Sequence, residues 1–182
     1  SFDAMEYYYQ MHGREWERYA LIKARVVAGA DPFGKMLMER LRPFIYRRYL
    51  DYGTFESIRE MKRKISREVV RKGMTGDIKH GSGGIREIEF FGQVFQLIRG
   101  GIDPAYQQRG ILGILRVMND DRCINPQAYD ELAAAYVFLR NTENRLQMYA
   151  DKQTHTLPSD PEARTRLALS MGFESLEAFD KR

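Results

Sequence analysis

The residues most able to do chemistry cluster around one glycine-rich stretch, Asp77-Ile78-Lys79-His80-Gly81-Ser82-Gly83-Gly84, which runs straight into Ile85-Arg86-Glu87-Ile88-Glu89. Free N–H groups at a helix start attract anions, and Lys79 and Arg86 flank this one, so the stretch reads either as a phosphate cradle or as a tight turn between helices. It lacks the G-x-x-x-x-G-K-[ST] pattern of a P-loop. Glu87 and Glu89 could share a metal only on a strand. On a helix, side chains two apart point to different faces, so the expected helix rejects a metal pair, and one glutamate is expected to salt-bridge while the other caps or faces solvent. Lys23 falls inside the apolar stripe Trp16, Tyr19, Ala20, Val27, and must snorkel, pair with a carboxylate or reach a ligand. Glu143 interrupts the stripe between Leu139 and Leu146, and a buried glutamate needs a cation, for which Arg86 or Arg140 could serve. His12, His80 and His155 are far apart and never at i, i+4 spacing, so neither a zinc site nor a catalytic triad is suggested, and they are expected to face solvent or to be satisfied in the core.

The elements that carry these residues read as helices split by short breakers. Periodicity and caps place helices at 2–11, 14–28, 32–42, 55–72, 85–99, 110–119, 126–150 and 161–171, with a last turn at 175–180. Pro43 punctuates the third, and Gly29, Gly73, Gly100-Gly101 and Gly172 end others. The 85–99 stripe is Ile85, Ile88, Phe91, Phe95 and Ile98. No segment alternates with period two, so the fold class is all-α, a helical bundle region with at most one short extended segment near 77–79. The division expected is 1–53, helices closing a preceding domain, and 54–182, a helical bundle domain.

Composition narrows the function classes. The chain has 182 residues, 43% hydrophobic and 30% charged, which excludes wholesale disorder. One cysteine, Cys123, excludes a disulfide framework and suits a reducing cytoplasm. No apolar run approaches the roughly 20 residues of a membrane span. The first residue is Ser1 rather than Met, which reads as a segment of a longer protein. Net charge is +4, but residues 35–73 hold twelve Lys/Arg against five Asp/Glu, a local excess of 12 − 5 = +7. Such a block attracts phosphates or is a solvated helix face. It lacks a recognition-helix or aromatic-platform pattern, which argues against nucleic acid.

Several blocks in order carry a family likeness: Arg14-Glu-Trp-Glu-Arg-Tyr-Ala-Leu-Ile-Lys23-Ala-Arg25, Leu41-Arg-Pro-Phe-Ile-Tyr-Arg-Arg-Tyr49, Asp77 to Phe90, Gln93-Val-Phe-Gln-Leu97, Phe138-Leu-Arg-Asn-Thr-Glu143-Asn and Thr154-His-Thr-Leu-Pro158. Together they resemble the bacterial bifunctional glutamine synthetase adenylyltransferase/adenylyl-removing enzymes over nearly the whole chain. The wording Ile85-Arg-Glu-Ile-Glu-Phe90 after Trp16-Glu-Arg-Tyr19 resembles the N-terminal, adenylyl-removing half. The resemblance implies a nucleotidyltransferase that phosphorolyses AMP–tyrosine on glutamine synthetase to ADP and active synthetase, the other half attaching AMP from ATP. Mg²⁺ is the implied cofactor, ATP or ADP the nucleotide, and glutamine synthetase and a PII-type signalling protein the partners. The family's Gly-Ser turn with an Asp-x-Asp pair has no match here, and His80 stands where an apolar residue is expected. The chain is therefore expected to hold no catalytic or metal residue, with the metal ligands upstream. Lys23, Arg25, Lys79 and Arg86 are the candidate phosphate, nucleotide or substrate contacts, and Glu143 is a structural ion pair. The competing reading is a non-catalytic module docking glutamine synthetase or the PII-type protein through helix 55–72.

Overall fold

A computed structural model describes residues 1–29, 31–48, 56, 59–60, 62–63, 67 and 76–181. The helix read at 55–72 and its end at Gly73 lie outside the described residues, apart from Glu56, Arg59, Glu60, Lys62, Arg63 and Arg67, which are helical. The fold is all-α. Its labelled helices are α1 (Phe2–His12), α2 (Glu15–Leu21), α3 (Asp31–Ile45), α4 (Ile85–Arg99), α5 (Ile111–Asp120), α6 (Pro126–Met148), α7 (Pro161–Ser170) and α8 (Leu176–Asp180). Among the described residues the extended backbone amounts to an isolated antiparallel bridge, Asp77 with Thr156. No helix there is long and apolar enough to cross a membrane. Packing divides the chain into two units: Ser1–Ser66 with Phe90–Pro126, and Arg67–Glu89 with Gln127–Arg182.

In the first unit, Ile22, Leu41, Phe44, Ile45, Phe90 and Leu97 form the core, with Tyr9 stacked on Phe44 at 4.9 Å and Tyr19 on Phe90 at 5.5 Å between ring centroids. This core explains why α3 passes the expected stop at Pro43. Pro43 contributes no N–H to the helical ladder, but extending by three residues buries Phe44 and Ile45, each worth about 1.5–3 kcal/mol. Helix α2 does the opposite and stops at Leu21 rather than residue 28. Lys23 and Ala24 close i→i+3 turns onto Ala20 and Leu21, and the chain leaves through Val26-Val27, a β-branched pair that disfavours helix. Val26 lies directly across Gly34 of α3, where a Cβ would stand 2.9 Å from its Cγ1, so this crossing needs glycine.

Helix α4 has the expected limits and a wider buried face than expected. Ile85 and Ile88 are buried as the stripe requires, but Phe91 is exposed, and Phe90, Gln93, Gln96 and Leu97 are buried as well. Two glutamines inside a packed face look wrong for a stripe. Gln96 is buried because its amide donates to the carbonyls of Tyr106 and Gln108, satisfying a loop that would otherwise be orphaned.

The second unit packs Leu146 of α6 against Leu167, Ala168 and Phe179, with Ile78, Phe138, Leu157 and Phe173 around them. Phe138, Phe173 and Phe179 meet pairwise at 5.5–6.0 Å between centroids. Asp160 accepts from the amide of Ala163 and Ser175 from that of Ala178, capping α7 and α8. Helix α6 is the longest described and gives way at Tyr149 to a 3₁₀ turn through Asp151.

Candidate functional site

The site builds from the loop before α4. Asp77 bridges Thr156, and the amide of Ile78 donates to the carbonyl of His155 at 2.9 Å, so a short antiparallel contact sets the 77–81 turn beside residues 155–156. Within the turn, Asp77 Oδ1 accepts the amides of Lys79 (2.9 Å) and His80 (2.8 Å), and its Oδ2 accepts from His80 Nδ1 at 3.0 Å. Burial works against the charged Asp77 carboxylate. The His80 amide and ring and the Lys79 amide outweigh it and hold the carboxyl below its usual range.

The turn then closes on the first turn of α4. Gly84 donates to Gly81, Ile85 to Ile78, Arg86 to Lys79 and Glu87 to Gly84, while Gly83 donates to the Glu87 carboxylate at 2.7 Å. Five consecutive amides, Gly83 to Glu87, thus end on protein acceptors. The anion cradle of exposed N–H groups is therefore not formed, because the loop's own carbonyls occupy that place. A Cβ at Gly84 would lie 2.8–3.0 Å from the carbonyl oxygens of Ile78, Gly81 and Lys79, which is why the turn needs glycine there. Glu87 is a cap, and Glu89 accepts the hydroxyl of Tyr136 at 3.2 Å. Burial first, and the Glu89 charge second, push the Tyr136 phenol up.

Glu143 stands at the centre of the second unit's polar cluster. It is 3% exposed. Arg140 Nη1 donates to its Oε2 at 2.6 Å. Lys79 Nζ at 3.1 Å and His155 Nδ1 at 3.0 Å approach Oε1 as ion-pair contacts rather than aligned hydrogen bonds. The rings of His80 and His155 stand edge to face at 5.6 Å. The partner of Glu143 is thus Arg140, with Lys79 as a second cation; Arg86 is exposed, its amide tied to Lys79. Sequence reasoning passed over His80 and His155 because 75 positions separate them and nothing in either motif names the other. The pairing of 77 with 156 was the missing link.

Lys23 and Arg25 belong to the first unit. Lys23 Nζ donates to the carbonyl of Arg109 at 3.0 Å, and Arg25 is exposed. The four candidate contacts therefore divide between the units, with Lys79 and Arg86 joined in the second. Mg²⁺ does not fit the side chains here: among the described residues no three His, Cys, Asp or Glu come together as a ligand set.

Comparison with known proteins gives the setting of these residues. The family model described as GlnD PII-uridylyltransferase matches residues 59–182, and that described as Glutamate-ammonia ligase adenylyltransferase matches residues 1–40. The chain is 56% identical over 180 residues to the bifunctional glutamine synthetase adenylyltransferase/adenylyl-removing enzyme of Thioalkalivibrio sulfidiphilus, covering 99% of this chain and 19% of that protein. It is 58% identical over 179 residues to the same enzyme of Nitrosococcus oceani, 98% of this chain and 18% of that protein. The Pseudomonas aeruginosa enzyme is 52% identical over all 182 residues, again 18% of its length. The chain thus spans about a fifth of the length of the curated relatives it matches. It belongs to the family described by the GlnD PII-uridylyltransferase model, and across nearly its whole length it is a relative of the bifunctional glutamine synthetase adenylyltransferase/adenylyl-removing enzymes.

Proposed function

We propose that this chain is a helical region of the adenylyl-removing half of a glutamine synthetase adenylyltransferase. Residues 1–53 close the nucleotidyltransferase domain and residues 54–182 form the bundle that follows. The identity of 52–58% over nearly the whole chain supports kinship with that enzyme, and the Ile85-Arg-Glu-Ile-Glu-Phe90 wording favours its adenylyl-removing half. The two family models match on either side of that division, at 1–40 and 59–182. In the parent enzyme, inorganic phosphate displaces the synthetase tyrosine from AMP, giving ADP and the free hydroxyl, in the cytoplasm, with Mg²⁺ held by other residues. Glutamine synthetase and a PII-type protein are the partners.

Within that reaction the chain positions rather than transfers. Arg25 and Arg86 present exposed guanidinium groups to phosphate or to the protein substrate. Lys79 serves both as a counter-charge to Glu143 and as a wall of the cleft. The chain alone, given adenylylated glutamine synthetase, inorganic phosphate and Mg²⁺, is expected to release no ADP, because charge neutralisation at the transferred group needs convergent carboxylates and metal. Metal-dependent ADP release by the chain alone would overturn this and return attention to Glu87 and Glu89.

A further inference from the structure

The first unit contains a cavity of about 550 Å³ between the 22–29 segment, α3 and the 107–109 loop. That volume lies within the range of small-molecule sites. Its floor is apolar and well packed: Ile22 and Ile45 are buried. Its walls are fixed. Lys23 ties its ammonium to the Arg109 carbonyl, and Gln96 and Gln107 hold the carbonyls of Tyr106, Gln108 and Gly100. On the facing wall, Val26 closes onto Gly34.

The charge of the lining is unbalanced. It holds Arg25, Lys35, Arg42 and Arg109 against Asp31 and Glu39, or 4 − 2 = +2. Asp31 is already committed to Lys35 at 2.7 Å. Among the described residues no carboxylate pairs with Arg25, Arg42 or Arg109. With Asp31 paired to Lys35, Glu39 is the lining carboxylate that remains against three guanidinium groups, so the described lining keeps a net positive charge. Guanidinium forks match phosphate oxygens in pairs. Tyr46 adds a phenol to the same wall.

We propose that this cavity binds the phosphate groups of a small polyanionic ligand, with Arg25, Arg42 and Arg109 as its cationic wall and Lys23 as the residue that positions the Arg109 loop. The phosphates can come from a nucleotide or from free inorganic phosphate chains. The nucleotide rests on the function proposed above; the anion binding rests on the lining alone. Saturable anion binding by the chain, together with unchanged ADP release in a full-length relative carrying Arg25→Ala with Arg86→Ala, would therefore fault that reading and leave this one standing.

The test is calorimetric titration of the 182-residue chain with ADP, pyrophosphate and adenosine at about 0.1 M salt, where Debye screening acts over roughly 10 Å. ADP and pyrophosphate are expected to bind one to one and to compete. Arg42→Ala and Arg109→Ala should each weaken binding at least tenfold, while Lys62→Ala leaves it unchanged. Tenfold tighter ADP than pyrophosphate identifies a nucleotide source, and the reverse an inorganic one. Arg109→Gln, a milder change in a loop, repeats the test should an alanine variant lose helical circular dichroism. Absence of saturable binding by both anions, adenosine binding as tightly as ADP, or unchanged affinity in Arg42→Gln/Arg109→Gln would overturn the proposal.

Discussion

Removing the Glu143 side chain should expose how much the second unit depends on its central carboxylate. Breaking a fully buried pair costs about 3–5 kcal/mol, because the surviving charge is stranded. Here the survivors are not fully stranded: Lys79 is 27% exposed and Arg140 43%, so both regain water. The expected cost of Glu143→Ala is therefore about 2–3 kcal/mol, below the full penalty. Glu143→Gln, which keeps an acceptor for Arg140, should cost about half of that. In a urea melt followed at 222 nm, with a slope of about 2 kcal/mol per molar, Glu143→Ala should lower the midpoint by about 1 M at unchanged slope. Adding Lys79→Met should restore about 1 kcal/mol, since removing both partners is cheaper than removing one. A midpoint shift below about 0.2 M would refute the reasoning, as would a double variant no more stable than Glu143→Ala.

Gly84→Ala should destabilise by about 1–3 kcal/mol, because its methyl would press three backbone carbonyls that cannot swing away; denaturant melts check it. Asp77 has a folded-state pKa below its unfolded one, so its stabilisation is present above about pH 4 and disappears as pH falls through the folded value. Stability measured from pH 6 down to pH 3 should drop less in Asp77→Asn than in the parent. Burial pushes the Tyr46 phenol up to about 12, against the partial opposition of Arg42. Tyr46→Phe should therefore leave the 295 nm absorbance rise at pH 11 almost unchanged, and loss of a full tyrosine's share would show the residue to be open to solvent.

Much of the helical plan was legible because periodicity and breakers agreed. The limits of α4, and the starts of α6 and α7 at Pro126 and Pro161, follow from local chemistry alone. Errors came where tertiary packing overrode it: α3 runs through Pro43 to bury Phe44 and Ile45, and α2 stops early so that Val26 can meet Gly34. The buried face of α4 was read too narrowly for a similar reason: Ile85 and Ile88 are buried as expected, but Gln93 and Gln96 look polar in sequence, yet Gln96 is needed inside to serve loop carbonyls. At the site, a charge on an apolar stripe marked Glu143 because it has few alternatives to a cation partner. The His80–His155 contact was invisible, as it depends on a two-residue antiparallel contact between loops with no hydrophobic pattern. The cradle reading failed because sequence shows which amides begin a helix but not which carbonyls reach them.

The central claim is that these residues serve removal of AMP rather than its attachment. The most direct measurement places Arg25→Ala with Arg86→Ala in a full-length relative and follows both reactions on glutamine synthetase: ADP release from the adenylylated form with inorganic phosphate, and AMP incorporation from ATP. The account predicts that ADP release falls at least tenfold while AMP incorporation stays within about twofold of the parent, a difference of more than 1 kcal/mol in transition-state stabilisation. Loss of AMP incorporation with ADP release preserved would contradict it.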